Sequence, residues 1–392
     1  MDGKLARLGR TGILLAMAIL LAGCGKSDAS FQDGMKMAEK GEYEKALPLF
    51  QKAVKEDGKA AEYQIAYGMT YNYMGKYEEA GKIFESAMDK LKETASKEEK
   101  KQFYYGNAVA YAGMGEYEQA EAYCNKALAI ELLGDMDGDI RFTMAVCLEN
   151  QGKYEEAEEV CRNMIKDDKK DWQAYYEVAA VQEKQGNWDD AAETYAVLID
   201  RQKTETDAYF KLYQAYMAMG DEKLAKEAVA PVLKWDVKKA SNALAVGRAY
   251  YYQKDLDNAR NYLERAYDGN CTESLYYLGV LSMEEGNYTE AEKYFLAYLK
   301  ENEENLKVEA YDQLAVAMME QKEYEKAQDY IDQGLGYGMT EAEQGLWKNQ
   351  VILYEKQERF EEALEKAQEY VKRYPIDADM KKELAFIRTR VK

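Results

Sequence analysis

Histidine is absent from this chain of 392 residues. Its absence removes the commonest general base and the commonest transition-metal ligand of proteins. The sequence also lacks a Gly-x-Ser-x-Gly nucleophile elbow and a complete Gly-x-x-x-x-Gly-Lys-Ser/Thr phosphate-binding loop. With no recognisable nucleophile or phosphate-binding motif, we predict that the protein is not an enzyme and that it uses no cofactor.

The chain has few cysteines and few long apolar runs. Cysteines 124, 147, 161 and 271 show no Cys-x-x-Cys spacing, so a zinc site or a thioredoxin-like redox motif is not supported. Beyond the first 23 residues no apolar stretch is long enough for a membrane span. The bulk of the chain is therefore expected to fold without a metal and outside the bilayer.

What the sequence has in abundance is repetition. A turn residue, any residue, an aromatic residue, two polar residues and an alanine recur ten times, with successive alanines 32 to 40 residues apart. A period in this range is typical of helical repeat arrays. The alanines are Ala46, Ala80, Ala120, Ala157, Ala191, Ala225, Ala259, Ala291, Ala327 and Ala363.

Each repeat has the pattern of a helical hairpin. Five residues before the alanine, seven of the ten repeats have glycine, which suits a chain that leaves one helix and at once starts another. Twelve residues before it, eight have Gly or Ala, where a small side chain lets two helices approach closely. Repeat six departs most, with Glu222 in place of the aromatic residue and Tyr213 in place of the small one.

In spacing and residue type this pattern resembles the tetratricopeptide repeat. The resemblance implies an all-α, right-handed superhelical solenoid of about ten hairpins over residues 31–375, in which Pro375 matches the terminal proline of the repeat. It also implies a capping helix at 376–392, and a concave groove lined by the first helix of each hairpin. Such a groove usually binds a protein or peptide partner.

The N-terminus has the features of an export signal. Lys4, Arg7 and Arg10 precede an apolar run at 13–21, which is short for a transmembrane helix. The run ends in Leu21-Ala22-Gly23-Cys24, which resembles the bacterial lipobox. We therefore expect a lipoprotein signal peptide at 1–23, a lipid on Cys24 and a tether at 24–30. The protein would then be anchored by lipid in a bacterial cell envelope, on the extracytoplasmic face.

The net charge is strongly negative. The whole chain carries −20, and the segment 1–23 contributes +2, so a processed chain would carry −22. This charge argues against a nucleic-acid partner and against electrostatic binding to anionic lipid. Charged residues at helical spacing are equally explained as a solubilising surface.

One loop could present oxygen ligands to a cation. Asp135, Asp137 and Asp139 alternate, as ligands of calcium can. However, Ile140 stands where an EF-hand has glycine, and Val146 stands where it has the closing glutamate. The alternative is a turn whose acidic residues favour a helix N-terminus. Calcium is therefore a weak candidate, and we otherwise predict no metal.

The groove is where a partner would bind. The resemblance places the residue fifteen positions before each alanine on the groove, and six of these ten residues are aromatic. These rings either bind a partner or pack between neighbouring first helices as core. The predicted groove residues are Tyr105, Phe142, Tyr176, Phe210 and Tyr276, with Met69, Tyr73 and Tyr251.

Two classes of function remain. The first is a protein-interaction scaffold whose partner is a peptide or protein, basic and apolar in character because acidic residues flank the aromatic row. The second is a cell-wall glycan or solute binding protein that stacks sugars on tyrosine rings. Salt should weaken the first kind of binding and leave the second almost unchanged.

Overall fold

The computed structural model describes residues 29–131, 136–301, 306–337, 343–374 and 377–391. The predicted signal peptide, Cys24 and nearly all of the tether lie outside these residues. The described residues form 21 α-helices and one short 3-10 turn, and none of them lies in a β-strand. The predicted all-α helical repeat fold is confirmed.

The described chain divides into two compact units. The first comprises residues 29–164 together with 373–374, and the second comprises 165–337, 343–372 and 377–391. The first unit contains α1 (Ala29–Glu39), α2 (Tyr43–Glu56), α3 (Ala61–Tyr73), α4 (Tyr77–Leu91), α5 (Lys97–Gly113), α6 (Tyr117–Leu128) and α7 (Met136–Asn150). Helix α8 (Tyr154–Asp167) runs from the first unit into the second.

The second unit continues the same alternation. Its helices are α9 (Trp172–Gln185), α10 (Trp188–Arg201), α11 (Thr206–Ala218), α12 (Glu222–Val229), α13 (Ala240–Tyr252), α14 (Leu256–Asp268), α15 (Glu273–Glu284), α16 (Tyr288–Lys300), α17 (Lys307–Glu320), α18 (Tyr324–Leu335), α19 (Glu343–Lys356), α20 (Phe360–Arg373) and α21 (Ala378–Arg388). Each odd-numbered helix from α1 to α19 is the first helix of a hairpin. Helix α21 lies in the segment predicted to cap the array, while the handedness of the array stays a prediction.

A left-handed residue ends the first helix of each hairpin. At Gly186 φ is +77°. The N–H of Asn187 donates to the carbonyl of Gln182, and this hydrogen bond closes a turn of six residues at the end of the helix. Lys254, Lys322 and Glu358 occupy the same position with φ near +60°. The turn geometry therefore holds even in the three repeats that lack glycine, at a conformational cost that glycine avoids.

The repeat alanines form the centre of the packing. All ten are fully buried. Small residues on the first helix face large ones on the second: a Cβ atom added to Gly68 would lie 2.6 Å from the Phe84 ring, and one added to Gly279 would lie 2.6 Å from the Phe295 ring. Such contacts leave no room for even a methyl group, which explains the requirement for small residues at this position.

The irregular repeats are explained by local chemistry. The extra residues at 90–101 lengthen α5, which starts in a capping box formed by Ser96 and Glu99. Helix α12 has only eight residues and ends just before Pro231. Tyr213, which replaces the small residue of repeat six, is buried and packs on Tyr252 with ring centroids 4.7 Å apart.

The four cysteines among the described residues form no disulfide bonds. Cys124, Cys147 and Cys161 are buried and Cys271 is partly buried. Burial raises the pKa of the Cys124 and Cys147 thiols, so these side chains stay protonated and behave as small apolar residues.

Candidate functional site

The candidate site is one side of the first helices, which we call the groove face. It comprises the positions 18, 15, 11, 8 and 7 residues before each repeat alanine. Steps of three and four residues keep side chains on one side of an α-helix. The groove face is described separately for the two units.

In the first unit the predicted aromatic residues lie mostly in the core. Tyr105 is 3% exposed, and Phe142 and Met69 are also buried. Tyr73 is half-buried and stacks on Tyr43, with ring centroids 5.0 Å apart. Burial raises the pKa of the Tyr73 and Tyr105 hydroxyls well above 10. These rings therefore fit the core alternative, and a binding role for them stays a prediction.

In the second unit the predicted residues are more accessible. Tyr176, Tyr251 and Tyr276 are half-buried, and Tyr176 donates a hydrogen bond to the Glu205 carboxylate at 3.0 Å. Phe210, in contrast, is only 2% exposed. Tyrosine hydroxyls at the edge of a buried ring row can still contact a partner, whereas Phe210 supports the row from within.

An arginine that sequence reasoning missed organises this face. The Arg248 guanidinium lies between two rings, 4.2 Å from the centroid of Phe210 and 4.6 Å from that of Tyr277. It also pairs with the Asp207 carboxylate at 2.9 Å. Tyr252 stacks on Phe210 with centroids 5.1 Å apart. The two ring faces and the carboxylate stabilise the cation, while the buried Nε of Arg248 has no hydrogen-bond partner among the described residues.

The sequence did carry a signal for Arg248. Eleven residues before the repeat alanine, the other nine repeats have Met, Val, Ala, Gln or Ile, and only repeat seven has a charged residue. The same repeat has Leu244 where its neighbours have an aromatic ring. Arg248 therefore supplies, in a repeat that has leucine instead of an aromatic residue fifteen positions before its alanine, the flat group that bridges Phe210 and Tyr277.

Carboxylates outnumber cations on the groove face of the second unit. The acidic residues are Glu183, Asp207, Glu273, Glu284, Glu309, Asp312, Glu320 and Glu355, and the basic ones are Lys184, Arg248, Lys348 and Lys356. Three of these cations pair with acidic residues of the same unit: Arg248 with Asp207 at 2.9 Å, Lys348 with Asp377 at 2.9 Å and Lys356 with Glu320 at 3.1 Å. Two lysines outside the face also pair with its carboxylates, Lys254 with Glu284 at 2.7 Å and Lys211 with Glu183 at 4.0 Å, so the excess of acidic residues on the face is partly neutralised.

Two of these carboxyl groups have a raised pKa. Burial raises the pKa of Asp312 from 3.8 to about 6. Burial and the neighbouring Glu383 of α21 raise the pKa of Glu355 to about 7. Carboxyl groups whose pKa is raised in this way occur preferentially at functional sites.

Apolar side chains are exposed between the charges. Met217 on α11 is 43% exposed and Ile352 on α19 is 38% exposed, and both lie on the groove face. Such side chains offer contact area to a partner. The second unit therefore combines carboxylates, partly exposed tyrosines and accessible apolar side chains on one face.

The candidate calcium loop is satisfied by a protein cation. Asp137 pairs with the buried ammonium of Lys101 at 2.5 Å, and Lys101 also donates to the carbonyl of Ile130 at 2.9 Å. Asp135 lies outside the described residues. No three acidic, cysteine or histidine side chains of the described chain are grouped so that they could hold a metal ion. The Lys101 side chain thus already neutralises Asp137 without a metal.

Four segments match models of the tetratricopeptide repeat, over residues 61–89, 112–183, 173–203 and 244–305. The chain therefore contains tetratricopeptide repeats, and this kind of repeat supports a scaffold for protein–protein interaction. No curated protein sequence matches the chain significantly.

Solved structures with similar folds cover different lengths of the chain. A tetratricopeptide repeat protein from Parabacteroides merdae is 18% identical over 61% of this chain and 91% of its own, with a TM-score of 0.42. The type IV pilus biogenesis factor PilW is 19% identical over 54% of this chain and 94% of its own, with a TM-score of 0.46. Yeast Tom70 is 12% identical over 92% of this chain and 88% of its own, with a TM-score of 0.43.

Within the described residues, every helix is too short or too polar to span a bilayer.

Proposed function

We propose that this protein is a non-enzymatic lipoprotein of the bacterial cell envelope that captures a peptide or protein partner on the groove face of its repeats. A lipid on Cys24 would anchor it on the extracytoplasmic side. The partner would be basic and apolar in character. The proposal joins the lipobox-like sequence at 21–24 to the chemistry of the groove face.

The observation that supports capture of a basic partner is the groove face of the second unit. Its acidic residues exceed its basic ones, and the exposed Met217 and Ile352 lie among them. Charge complementarity speeds association and excludes acidic competitors, while apolar contacts contribute most of the binding energy. A segment with alternating basic and apolar side chains would match both features.

The ring geometry favours this function over glycan binding. Sugars stack on open faces of aromatic rings. Phe210 has Tyr252 stacked on it and the Arg248 guanidinium over it, and Tyr276 has Tyr277, Phe295 and Tyr298 around it with centroids 5.2–6.0 Å away. These rings are engaged with each other, so protein capture is the better explanation of the face.

The anchoring part of the proposal is tested with Cys24→Ala. The wild type should partition into the detergent phase of a Triton X-114 extract, because two acyl chains suffice for stable anchoring. The variant should appear in the aqueous phase or accumulate as unprocessed precursor. Equal partitioning of the two proteins would refute lipid anchoring and leave the repeat function untouched.

The capture part is tested by salt dependence. Partners recovered by the wild type from a solubilised envelope, and identified by mass spectrometry, should dissociate as ionic strength rises from 0.05 to 0.5 M, since salt screens charge pairs at the surface of a groove. Ligands that stay bound equally well across this range would favour the glycan or solute alternative.

A further inference from the structure

An open cavity, which we call the α10–α12 cavity, lies between helices α10, α11 and α12 and outside the groove face. Its volume is about 340 Å³, and its apolar floor is formed by Ile199, Leu212, Ala228 and Pro231. A cavity of about 150 Å³ is already large enough to hold a benzene molecule. The α10–α12 cavity therefore has room for an aromatic side chain from outside.

The sequence explains why the cavity is found in repeat six. The other second helices have 12–15 residues, whereas α12 has eight and ends just before Pro231. Proline lacks the backbone N–H that a further helical turn would need. Ala228 and Pro231 line the cavity at this shortened end, so the opening follows from the missing turn of α12.

The α10 wall of the cavity is acidic. Asp190, Glu193 and Asp200 are exposed, and their spacings of three and seven residues keep them on one side of the helix. None of the three makes an ion pair with another described residue. Arg201, the cation of this helix, lies over the Tyr175 ring at 5.3 Å from its centroid. These three carboxylates are therefore available to a basic group from outside.

Both signs of charge border the opening of the cavity. Asp200 and Glu227 lie on the α10 and α12 walls, and Lys203 lies in the loop that follows α10. Lys223 is 3.9 Å from Glu227, but both side chains are largely exposed, so this pair contributes little. With the other acidic residues of α10, carboxylates outnumber ammonium groups around the opening.

The same unit carries a surface of the opposite character, which we call the α21 face. Lys382 and Phe386 on α21, and Arg390 just beyond it, follow at steps of four residues and lie on one side. The Phe386 ring is 44% exposed, and the Arg390 guanidinium lies over it at 4.9 Å from the centroid. Lys382 pairs with Asp379 at 2.9 Å, but both side chains are highly exposed, so another carboxylate can replace Asp379.

We propose that the α21 face of one copy docks into the α10–α12 cavity of a second copy, so that the protein self-associates through two different surfaces. Phe386 would contact the apolar floor of the cavity. Lys382 and Arg390, about one helical turn to either side of the ring, would pair with Asp200 and Glu227. This role goes beyond partner capture, because both surfaces lie outside the groove face.

A second copy accounts for more of the structure than other occupants do. The two surfaces are complementary in polarity and in the sign of their charge. An anionic lipid surface would attract the α21 face and leave the cavity empty. A basic segment of another protein would fill the cavity and leave the exposed Phe386 ring without a contact. A second copy of this chain uses both surfaces at once.

The expected association is weak. One face of a helix with three turns buries less than a standard interface, so we expect a Kd on the order of 10–100 µM. Because the docking surface and the receiving surface differ, the same contact can join dimers or extend to longer assemblies as concentration rises.

The test is sedimentation velocity of the full chain in detergent solution. The wild type should be monomeric at about 1 µM and mostly associated at about 200 µM. Phe386→Ala and Asp200→Lys should each weaken association about tenfold or more. The matched controls are Tyr267→Ala, which removes a ring of 45% exposure from α14, and Asp329→Lys, at an exposed aspartate on α18. Both controls should associate as the wild type does.

Mixing the two variants distinguishes docking from misfolding. Phe386→Ala keeps an intact cavity, and Asp200→Lys keeps an intact α21 face. An equimolar mixture should therefore form mixed dimers at a concentration where neither variant associates alone. This result would show that both variants fold and that the two surfaces belong to different copies. A mixture that stays monomeric would overturn the inference.

Two further outcomes would also overturn it. One is a wild type that stays monomeric at about 200 µM, or that associates no better than Phe386→Ala and Asp200→Lys do. The other is a wild type that binds phosphatidylglycerol vesicles through Phe386 without self-association, which would assign the α21 face to the membrane. Capture of a partner by the groove face is unaffected by either outcome.

Discussion

Replacing Asp312 with asparagine should stabilise the folded protein at neutral pH. Burial raises the pKa of this carboxyl group from 3.8 to about 6. At about 1.4 kcal/mol for each pH unit of that rise, the ionised group costs the folded state up to roughly 3 kcal/mol at pH 7 and above. Asparagine removes the charge and can still accept the hydrogen bond from Asn349. A residue that lowers stability in this way is expected where function requires it.

The pH dependence gives the sign of the effect. Because the pKa is higher in the folded state than in the unfolded state, the folded state binds the proton more tightly. The penalty is therefore complete above pH 6, shrinks as pH falls through 6, and is gone below about 3.8. Asp312→Asn should unfold at a higher temperature or urea concentration than the wild type at pH 7.5, and the difference in unfolding free energy should fall to about a third of that value by pH 4.5.

The assay is unfolding followed by circular dichroism at 222 nm, for the wild type, Asp312→Asn and the surface control Asp329→Asn. Glu355, whose pKa is raised to about 7, titrates in the same direction in all three proteins and cancels in the comparison. A lower stability of Asp312→Asn at pH 7.5, or a difference that does not change with pH, would refute the reasoning. Either result would mean that a cation or solvent compensates the carboxylate in the folded protein.

Two further predictions concern the packing of the hairpins. Gly279→Ala places a Cβ atom 2.6 Å from the Phe295 ring, so it should lower the free energy of unfolding by about 1–3 kcal/mol, although alanine normally favours helices over glycine. Urea titration measures this free energy. Unchanged stability would show that the Phe295 ring can move aside. Lys322→Gly should raise the free energy of unfolding by up to about 1 kcal/mol, because φ at this position is +62°, which glycine adopts without strain. A lower midpoint of urea unfolding would show that the lysine side chain makes a contact that stabilises the fold by more than the backbone strain costs.

The repeat period was sufficient to predict most of the fold. Alanines at a spacing near 34 residues, glycines five positions earlier and small residues twelve positions earlier are all direct consequences of how two helices turn and pack, so sequence alone located the hairpins. Lys254, Lys322 and Glu358 occupy the same position as the glycines relative to the repeat alanine, and their positive φ follows from the same turn geometry.

The site could be predicted less well, because a repeat position does not determine exposure. Tyr105 and Tyr276 hold equivalent positions, yet Tyr105 is buried and Tyr276 is only half-buried, since exposure depends on the neighbours that each repeat provides. Arg248 could have been noticed as the one charged residue eleven positions before a repeat alanine. Its place between Phe210 and Tyr277 could not, because the pairing joins three separate helices. The lack of a cation near Asp312 likewise appears only when the side chains are placed.

The central claim, that the groove face captures a basic and apolar partner, is tested most directly by one matched pair of variants. Met217 on the groove face is 43% exposed, and Leu224 on the second helix of the same repeat is 37% exposed. Changing each to lysine removes a comparable apolar surface and adds the same charge at places where neither side chain is buried. We predict that Leu224→Lys recovers envelope partners as the wild type does, whereas Met217→Lys recovers at least about tenfold less, because it removes an apolar contact and repels a basic partner. Equal recovery by the two variants would contradict the account.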